Sequence, residues 1–524
     1  MAVRELLVAV LDNITRFESE HGTLALTGLQ IGSAMYGMQG MDAADVEVRD
    51  VLMYLHQQLV HCKEDISAQT LGNIIFGLQD KTCDHKVVRD IVQAASARVH
   101  QLSEPITIVS FGSALSGLRC MSSDVIEVRE MLTALCTKLT PIEAIDTDEI
   151  RSGGDTADTL TRSICNALYG LQCMDSEHSE VRRVLAMLSA RLDLCPPSSL
   201  TAQHFGNAMY GMQLMTCRRD EGEGQSEAEF EGLLRVLCDK ARTHPDVFMD
   251  VRAIGNSFYG LISAMKYPSE ARAQKLLTSV VGFLLQAADG VVRRSVVSST
   301  TAQKNFDCSN TSTDDSKDII KVGDRQDLWR SLVLFSHFTD SSAALTPDLR
   351  SQLARLCAEL SLHAPHSTLH ITSKEEKDGI DLAAVKEAKS ITSIEKQVQE
   401  QVDLLLQHNP TVQITHNEML YGFESDIVLR VSNMDSGSSQ ELGQVPAIIR
   451  NVEIDGITHL QPRRRKFSNL RDIYLEDKYN IKVSRIRFPD RQHLSDEALK
   501  EVVLKHLEAL KLFVITQQTQ HTFF

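Results

Sequence analysis

One short pattern returns six times in the first half of the chain, at a period near 40 residues. In order it reads IGSAMYGMQ (31–39), LGNIIFGLQ (71–79), FGSALSGLR (111–119), ICNALYGLQ (164–172), FGNAMYGMQ (205–213) and IGNSFYGLI (254–262). Its last glycine falls at Gly37, Gly77, Gly117, Gly170, Gly211 and Gly260, with spacings of 40, 40, 53, 41 and 49. The extra residues sit in polar stretches such as DTDEIRSGGD and DEGEGQSEAE. A period of this length marks an array whose units bury their apolar faces only against one another.

Each copy holds two helical segments. In the second copy Leu71, Ile74, Ile75 and Leu78 recur at i, i+3, i+4 and i+7, which is one face of a helix. The segment that follows each anchor (VEVRDVLMYLHQQL, KVVRDIVQAASARV, IEVREMLTALCTKL, SEVRRVLAMLSARL) behaves similarly, as Val51, Leu52, Leu55 and Leu59 show. About six helix pairs are therefore predicted over 1–290, as an all-α solenoid. A glycine inside a helix costs about 1 kcal/mol relative to alanine. Recurrent glycines such as Gly72 and Gly77 thus predict close approach of a neighbouring helix.

Three columns of positions run through the copies. Ser33, Asn73, Ser113, Asn166, Asn207 and Asn256 are expected to bond between repeats. Gln39, Gln79, Arg119, Gln172 and Gln213, with Ile262, follow the last glycine by two. Leu29, Gln69, Val109, Arg162, Gln203 and Arg252 precede the anchor. Side chains that vary from copy to copy suit reading of single-stranded RNA, one base per repeat. Ordinary solvent-facing rows vary in the same way.

Charge limits that reading. The chain carries a net charge of −16, and residues 1–300 hold 27 Lys+Arg against 38 Asp+Glu. Indiscriminate binding of nucleic acid is disfavoured, since phosphate attraction supplies most of it. The eleven cysteines include no Cys-x-x-Cys pair and read as reduced thiols, not as a zinc site or disulfide framework. No stretch reads as the ~20 apolar residues of a membrane span. Glu5, Asp12, Glu18 and Glu20 set the first residues apart from transit and signal peptides.

Downstream, 291–325 is rich in Ser, Thr and Asp and is expected to be a disordered loop. Residues 326–410 read as a degenerate helix pair and a connecting helix. From 411 the pattern changes. DIVLRV (426–431), PAIIRNVEID (446–455) and IKVSRIRF (481–488) read as strands, with the helix KFSNLRDIYLEDKYN before the third. A strand, helix, strand run predicts a parallel pair, so 411–524 is expected to be a small α/β domain. A basic run, Arg463, Arg464, Arg465 and Lys466, lies beside Arg471, Arg485 and Arg487 and suits phosphate contact.

Two resemblances follow from these residues. SAQTLGNIIFGLQ and TAQHFGNAMYGMQ resemble the octotricopeptide and heptatricopeptide repeats of organellar RNA-binding proteins. Glu453, Asp455, Gly456 and His459, then Arg471, Asp472 and Leu475, then Val483, Arg485 and Ile486, resemble the RAP domain. They also resemble the very-short-patch-repair-like endonucleases of the PD-(D/E)XK fold. The organisation is similar to that of FAST kinase-like proteins.

The resemblance implies a restriction-endonuclease-like domain at the C-terminal end and a role in RNA processing, stabilisation or translation. It places the protein in a mitochondrion or plastid; without it, the cytoplasm or nucleus would be expected. It also implies that Asp426, Glu453 and Asp455 hold Mg²⁺, with His459 assisting, if the site is an active endonuclease. Asp455 stands where the motif carries lysine. The competing arrangement has Glu453 paired with Arg471 or Arg485, in a domain that only binds. A further alternative is an acidic helical scaffold that binds protein partners.

Overall fold

Four of the repeats open on a side-chain cap. The hydroxyl oxygens of Thr27, Ser67, Thr107 and Thr201 accept from the backbone N–H of Gln30, Thr70, Ser110 and His204. Each satisfies one of the donors that a helix leaves orphaned at its start. These caps begin α2 (Gly28–Gly37), α4 (Ala68–Phe76), α6 (Ile108–Gly117) and α10 (Ala202–Gly211). The structure is a computed structural model. It describes residues 2–144, 150, 154–216, 226–243, 250–266, 271–304, 322–363, 398–400, 402–403, 412–420, 423–431, 448–455, 462–479, 481–487 and 501.

The chain divides into two units, Met1–Ala364 with Gln461–Arg463, and Pro365–Leu460 with Arg464–Phe524. The first unit adds α1 (Ala2–His21), α3 (Val46–His61), α5 (Lys86–Gln101), α7 (Ile126–Lys138), α8 (Asp155–Gly170) and α9 (Ser179–Leu194). After α10 come α11 (Ser226–Thr243), α12 (Val251–Lys266), α13 (Ala271–Lys304), α14 (Val322–Thr339) and α15 (Pro347–His363). Even-numbered helices pack on even-numbered ones and odd on odd, so the pairs stack as two layers. This is the helical array that the period predicts, with α14 and α15 as its last described pair.

The glycines are contact points between backbones. A Cβ on Gly77 would lie 2.0 Å from the carbonyl oxygen of Met35 in the helix before it. The same holds for Gly117 against Ile75, Gly170 against Leu115, Gly211 against Leu168 and Gly260 against Met209, at 1.9–2.3 Å. Among the described residues a Cβ on Gly37, in the first even-numbered helix, would meet nothing within 4 Å. Aromatic rings one residue before these glycines stack along the same layer. Ring centroids are 5.5 Å apart for Tyr36 and Phe76, and 5.4 Å for Tyr210 and Tyr259.

Two sets of basic side chains recur through the odd layer, one within each repeat and one between repeats. Arg49, Arg89, Arg129 and Arg182 each donate to two carbonyls in the loop that precedes their own helix. Arg98, Lys138, Arg191 and Lys240 reach back to carbonyls near the C-terminal end of the preceding odd-numbered helix. A cation there meets the negative end of the helix dipole as well as unpaired acceptors.

Two expectations are corrected. Residues 291–304 continue α13 as helix, so the loop expected over 291–325 does not begin at 291. The buried side of α13, including Val291 and Val292, carries it past Gly290, and no proline interrupts it before 304. Residues 305–321 lie outside the described residues. Second, Ala271–Arg293 is long and apolar enough to cross a membrane by length and composition. Here its apolar side, with Leu277, Val280, Val281 and Leu284, is buried against α11, α12 and α15.

Among the described residues the second unit holds a sheet of four strands in the order β1 (Val412–Leu420), β2 (Phe423–Val431), β3 (Ile448–Asp455) and β4 (Lys482–Arg487). β1 and β2 form an antiparallel hairpin, β2 and β3 are antiparallel, and β3 and β4 are parallel. The parallel pair needs a crossover, which α16 (Pro462–Tyr479) supplies. β1 has no counterpart in the sequence reading. Ile427, Val428, Leu429 and Ile486 of the strands and Tyr474 and Leu475 of α16 form the core.

Candidate nucleic-acid interface

Side chains directly opposite in paired strands share a face of the sheet. Ile427 pairs with Val452, so the register carries Asp426 opposite Glu453, and Glu453 in turn pairs with Arg485 of β4. Asp426, Glu453 and Arg485 thus cross three strands on one face. Arg471 reaches Glu453 from α16 at 3.0 Å, and Asn451 donates to the same carboxylate at 2.8 Å. Arg471 also holds Asp472 at 3.0 Å, and Arg485 Nε donates to the other oxygen of Asp472 at 2.6 Å.

These groups are removed from water. Glu453 is 3% exposed, Arg471 11% and Arg485 10%. Burial opposes the charge on Arg471, yet Glu453 and Asp472 outweigh it and hold the guanidinium above the usual arginine pKa. Burial raises the Asp472 carboxyl against the opposite pull of Arg471 and Arg485. Contacts from two guanidinium groups, at 3.0 and 2.6 Å, favour Asp472 as the ionised partner.

A magnesium ion asks for several oxygen ligands turned toward it. Glu453 is instead engaged by a guanidinium and an amide. Among the described residues no three acids, histidines or cysteines gather as a metal site. Of the acids expected on Mg²⁺, Glu453 is thus taken up by Arg471 and Asn451, and the side chain of Asp455 lies outside the described residues. Asp455 ends β3 opposite Arg487, while His459 lies outside the described residues. Arg471 and Arg485, expected on nucleic acid, are corrected to buried partners of Glu453 and Asp472.

The basic run has a different setting. Pro462 opens α16, where its missing N–H and fixed φ suit the first helical position. Arg463, Arg464, Arg465 and Lys466 follow at once, and the first turn holds no acid. Residues 461–491 hold ten Lys+Arg against four Asp+Glu, in a chain with a net charge of −16.

In the array two members of the glutamine column point inward, while Gln39, Gln79 and Arg119 are half-buried. Gln172 and Gln213 are each 1% exposed, and Gln79 donates to Gln39 at 3.3 Å. Arg119 clamps Asp80 with two bonds of 2.6 Å, and Asp80 takes up a left-handed conformation (φ 67°) to meet it. The expectation that this column faces a polynucleotide is corrected at Gln172 and Gln213: the helix ends at the glycine, and the turn after it carries these side chains between repeats. The column before the anchor does face solvent. Leu29, Gln69, Val109, Arg162, Gln203 and Arg252 are exposed in all six copies.

Sequence reasoning missed Lys81. It is 1% exposed, and its ammonium donates to the carbonyls of Met38 at 2.7 Å and Gly77 at 3.0 Å. Methionines (Met41, Met121, Met174, Met215) hold the matching places, so the signal was one lysine in a methionine column. Burial lowers its pKa to about 8, against the opposing pull of Asp80 and Asp42.

No known family model matches the chain, and no curated protein matches it.

Proposed function

We propose that the protein binds single-stranded RNA, with the basic opening turn of α16 as its phosphate contact and the exposed row before each anchor as its base-reading surface. The observation that carries this reading is the charge at the start of α16. The N-terminus of a helix is the positive end of its dipole and favours anions there. Four basic residues in and beside that turn repel it and one another, unless an anionic partner completes the site. Neither the acidic array nor the buried Arg471 and Arg485 offers such a cluster.

The division of labour follows from the two surfaces. Phosphate contacts hold the polymer without reading it, and base contacts supply preference. The exposed row varies from Leu29 to Arg252 at one residue per repeat, as the resemblance to octotricopeptide-type and RAP-domain proteins would have it. A role in organellar RNA metabolism goes with that resemblance. Hydrolysis through Asp426, Glu453 and Asp455 is the weaker reading, because Glu453 neutralises Arg471.

The test is fluorescence anisotropy of the full chain with single-stranded RNA over a salt series. Replacing Arg463, Arg464, Arg465 and Lys466 together by alanine should lower the slope of log K against log salt by about 3, at roughly 0.7 per phosphate contact. Gln69→Ala and Gln203→Ala should change sequence preference and leave the slope unaltered. Undetectable RNA binding, or a quadruple variant with the parent's salt dependence, would overturn the proposal.

A further inference from the structure

The rings that stand one residue before the glycines form a ladder with a rung of a different kind in its middle. Its positions are Tyr36, Phe76, Ser116, Tyr169, Tyr210 and Tyr259. Tyr36 and Phe76 stack with centroids 5.5 Å apart. Beyond Ser116 the ladder resumes, Tyr169 to Tyr210 at 5.9 Å and Tyr210 to Tyr259 at 5.4 Å. Serine supplies no ring at the step between Phe76 and Tyr169.

The array does not close up over that step. Gly117 meets Ile75 and Gly170 meets Leu115 through the same backbone contact that joins the other copies. α6 thus keeps its full place between α4 and α8, and the interval that a ring would fill is retained. The Ser116 hydroxyl donates to the backbone carbonyl of Asn166 at 3.3 Å. The long side chain of the next turn, Arg119, is committed to Asp80. Phe76, Ser116 and Tyr169 are each half-buried, so the step reaches solvent.

The same face of the even-numbered helices carries polar groups beside the step. Asn73, Ser113 and Asn166 precede the ring positions by three, and the exposed row precedes them by seven, so the three rows share one helix face. Asn166 is exposed, and Asn73 and Ser113 are half-buried. Among the described residues none of these three side chains holds a hydrogen bond. The bonds between repeats expected of this row are therefore not made here, and its amides and hydroxyl are open to a ligand.

We infer that a base of the bound single strand supplies the missing rung, entering at Ser116 between Phe76 and Tyr169. The inference rests on the reading of the protein as a binder of single-stranded RNA, and names where one base goes. A nucleobase uses both features of the step. Its flat faces continue the ladder, since stacked aromatic rings settle with centroids about 4.5–7 Å apart. Its polar edge meets Asn73, Ser113 and Asn166, as the edges of splayed bases do when they stack on aromatic side chains. An apolar ring from a protein partner would stack but leave the amides unanswered. Stacking tolerates any base. The rung therefore anchors the strand and sets which base meets which copy of the exposed row.

The probe is a short single-stranded RNA alternating uracil with 2-aminopurine, a base whose fluorescence falls when it stacks on an aromatic ring. It is titrated with the full chain while anisotropy and intensity are read together. The parent protein should quench it severalfold as anisotropy rises. Ser116→Tyr supplies the rung from the chain itself. It should lose most of the quench and bind about tenfold more weakly, the scale of one base stack, with a melting temperature no lower than the parent's. Ser116→Ala keeps the step open and should quench like the parent. No rise in anisotropy would remove the RNA reading and this inference together. Binding without a quench would remove this inference alone, leaving the step to an aromatic side chain of another protein. A quench that Ser116→Tyr leaves intact would assign it to other rings and overturn the inference. So would a melting temperature that Ser116→Tyr lowers, because the step would then have no room for a ring.

Discussion

Gly77 and the carbonyl of Met35 touch backbone to backbone, so closely that a methyl group on Gly77 would sit 2.0 Å from the oxygen. No flexible side chain can yield there, because the obstructing atom belongs to the neighbouring helix's main chain. Gly77→Ala should therefore cost about 3 kcal/mol, the upper range for overpacking. Gly37→Ala, at the corresponding place with open space, should instead stabilise by about 0.5–1 kcal/mol through the unfolded chain. Urea unfolding of the two variants checks the contrast, and equal effects would contradict the contact.

The Glu453–Arg471 pair sets a second expectation. Glu453→Gln leaves the buried Arg471 guanidinium with Asp472 as its one remaining described carboxylate and should cost about 3 kcal/mol, the lower end for a broken buried pair. Glu453→Leu combined with Arg471→Met should recover most of that loss, since it leaves no orphaned charge. Hydrogen exchange in β3 and β4 reports on this unit directly. A double variant no better than the single one would show that the pair is not acting as a unit.

Lys81 gives a pH-dependent prediction. Its folded pKa of about 8 lies below the usual lysine value of 10.5, so the unfolded chain holds the extra proton between those two values. Wild-type stability from this group therefore rises with pH across that window, and the burial penalty is complete below about pH 8. Lys81→Met should stabilise by about 1–3 kcal/mol at pH 7, and its advantage should shrink toward pH 10. Denaturant midpoints of both proteins at pH 7 and 9.5 measure the difference. An advantage that grows with pH would contradict the sign.

Arg129 donates to the carbonyls of Ser123 at 2.7 Å and Asp124 at 3.0 Å. Arg129→Ala should cost about 1.5–3 kcal/mol, the range for bonds to a charged donor. Arg129→Lys should recover only part, because an ammonium lacks the fork that spans two acceptors. Thermal unfolding checks the order, which fails if lysine restores wild-type behaviour.

The array was legible because its repeating contact is made by glycine. Only glycine serves at Gly77 or Gly211, so the period is written directly in residue identity. The glutamine column misled because polarity was read as exposure. Gln172 and Gln213 follow the helix end, where extrapolating the helical face no longer tells which way a side chain turns. The arginines of the recurring Val-Arg pairs were visible as letters, but their clamp on the preceding loop needs the loop's path. In the sheet, Glu453 was recognisable as a candidate with two possible partners, a cation or a metal. The structure shows the cation, Arg471, which approaches from α16.

The step from Gly117 to Gly170 is 53 residues where the previous step was 40, yet the two glycines make the same contact with the helix before them. Connector length and the pitch of the stack are thus independent. Insertions can accumulate between copies while the exposed row keeps its intervals. Any polymer lying along that row is therefore gauged by main-chain thickness, and its footprint in units should survive large changes in the length of the protein.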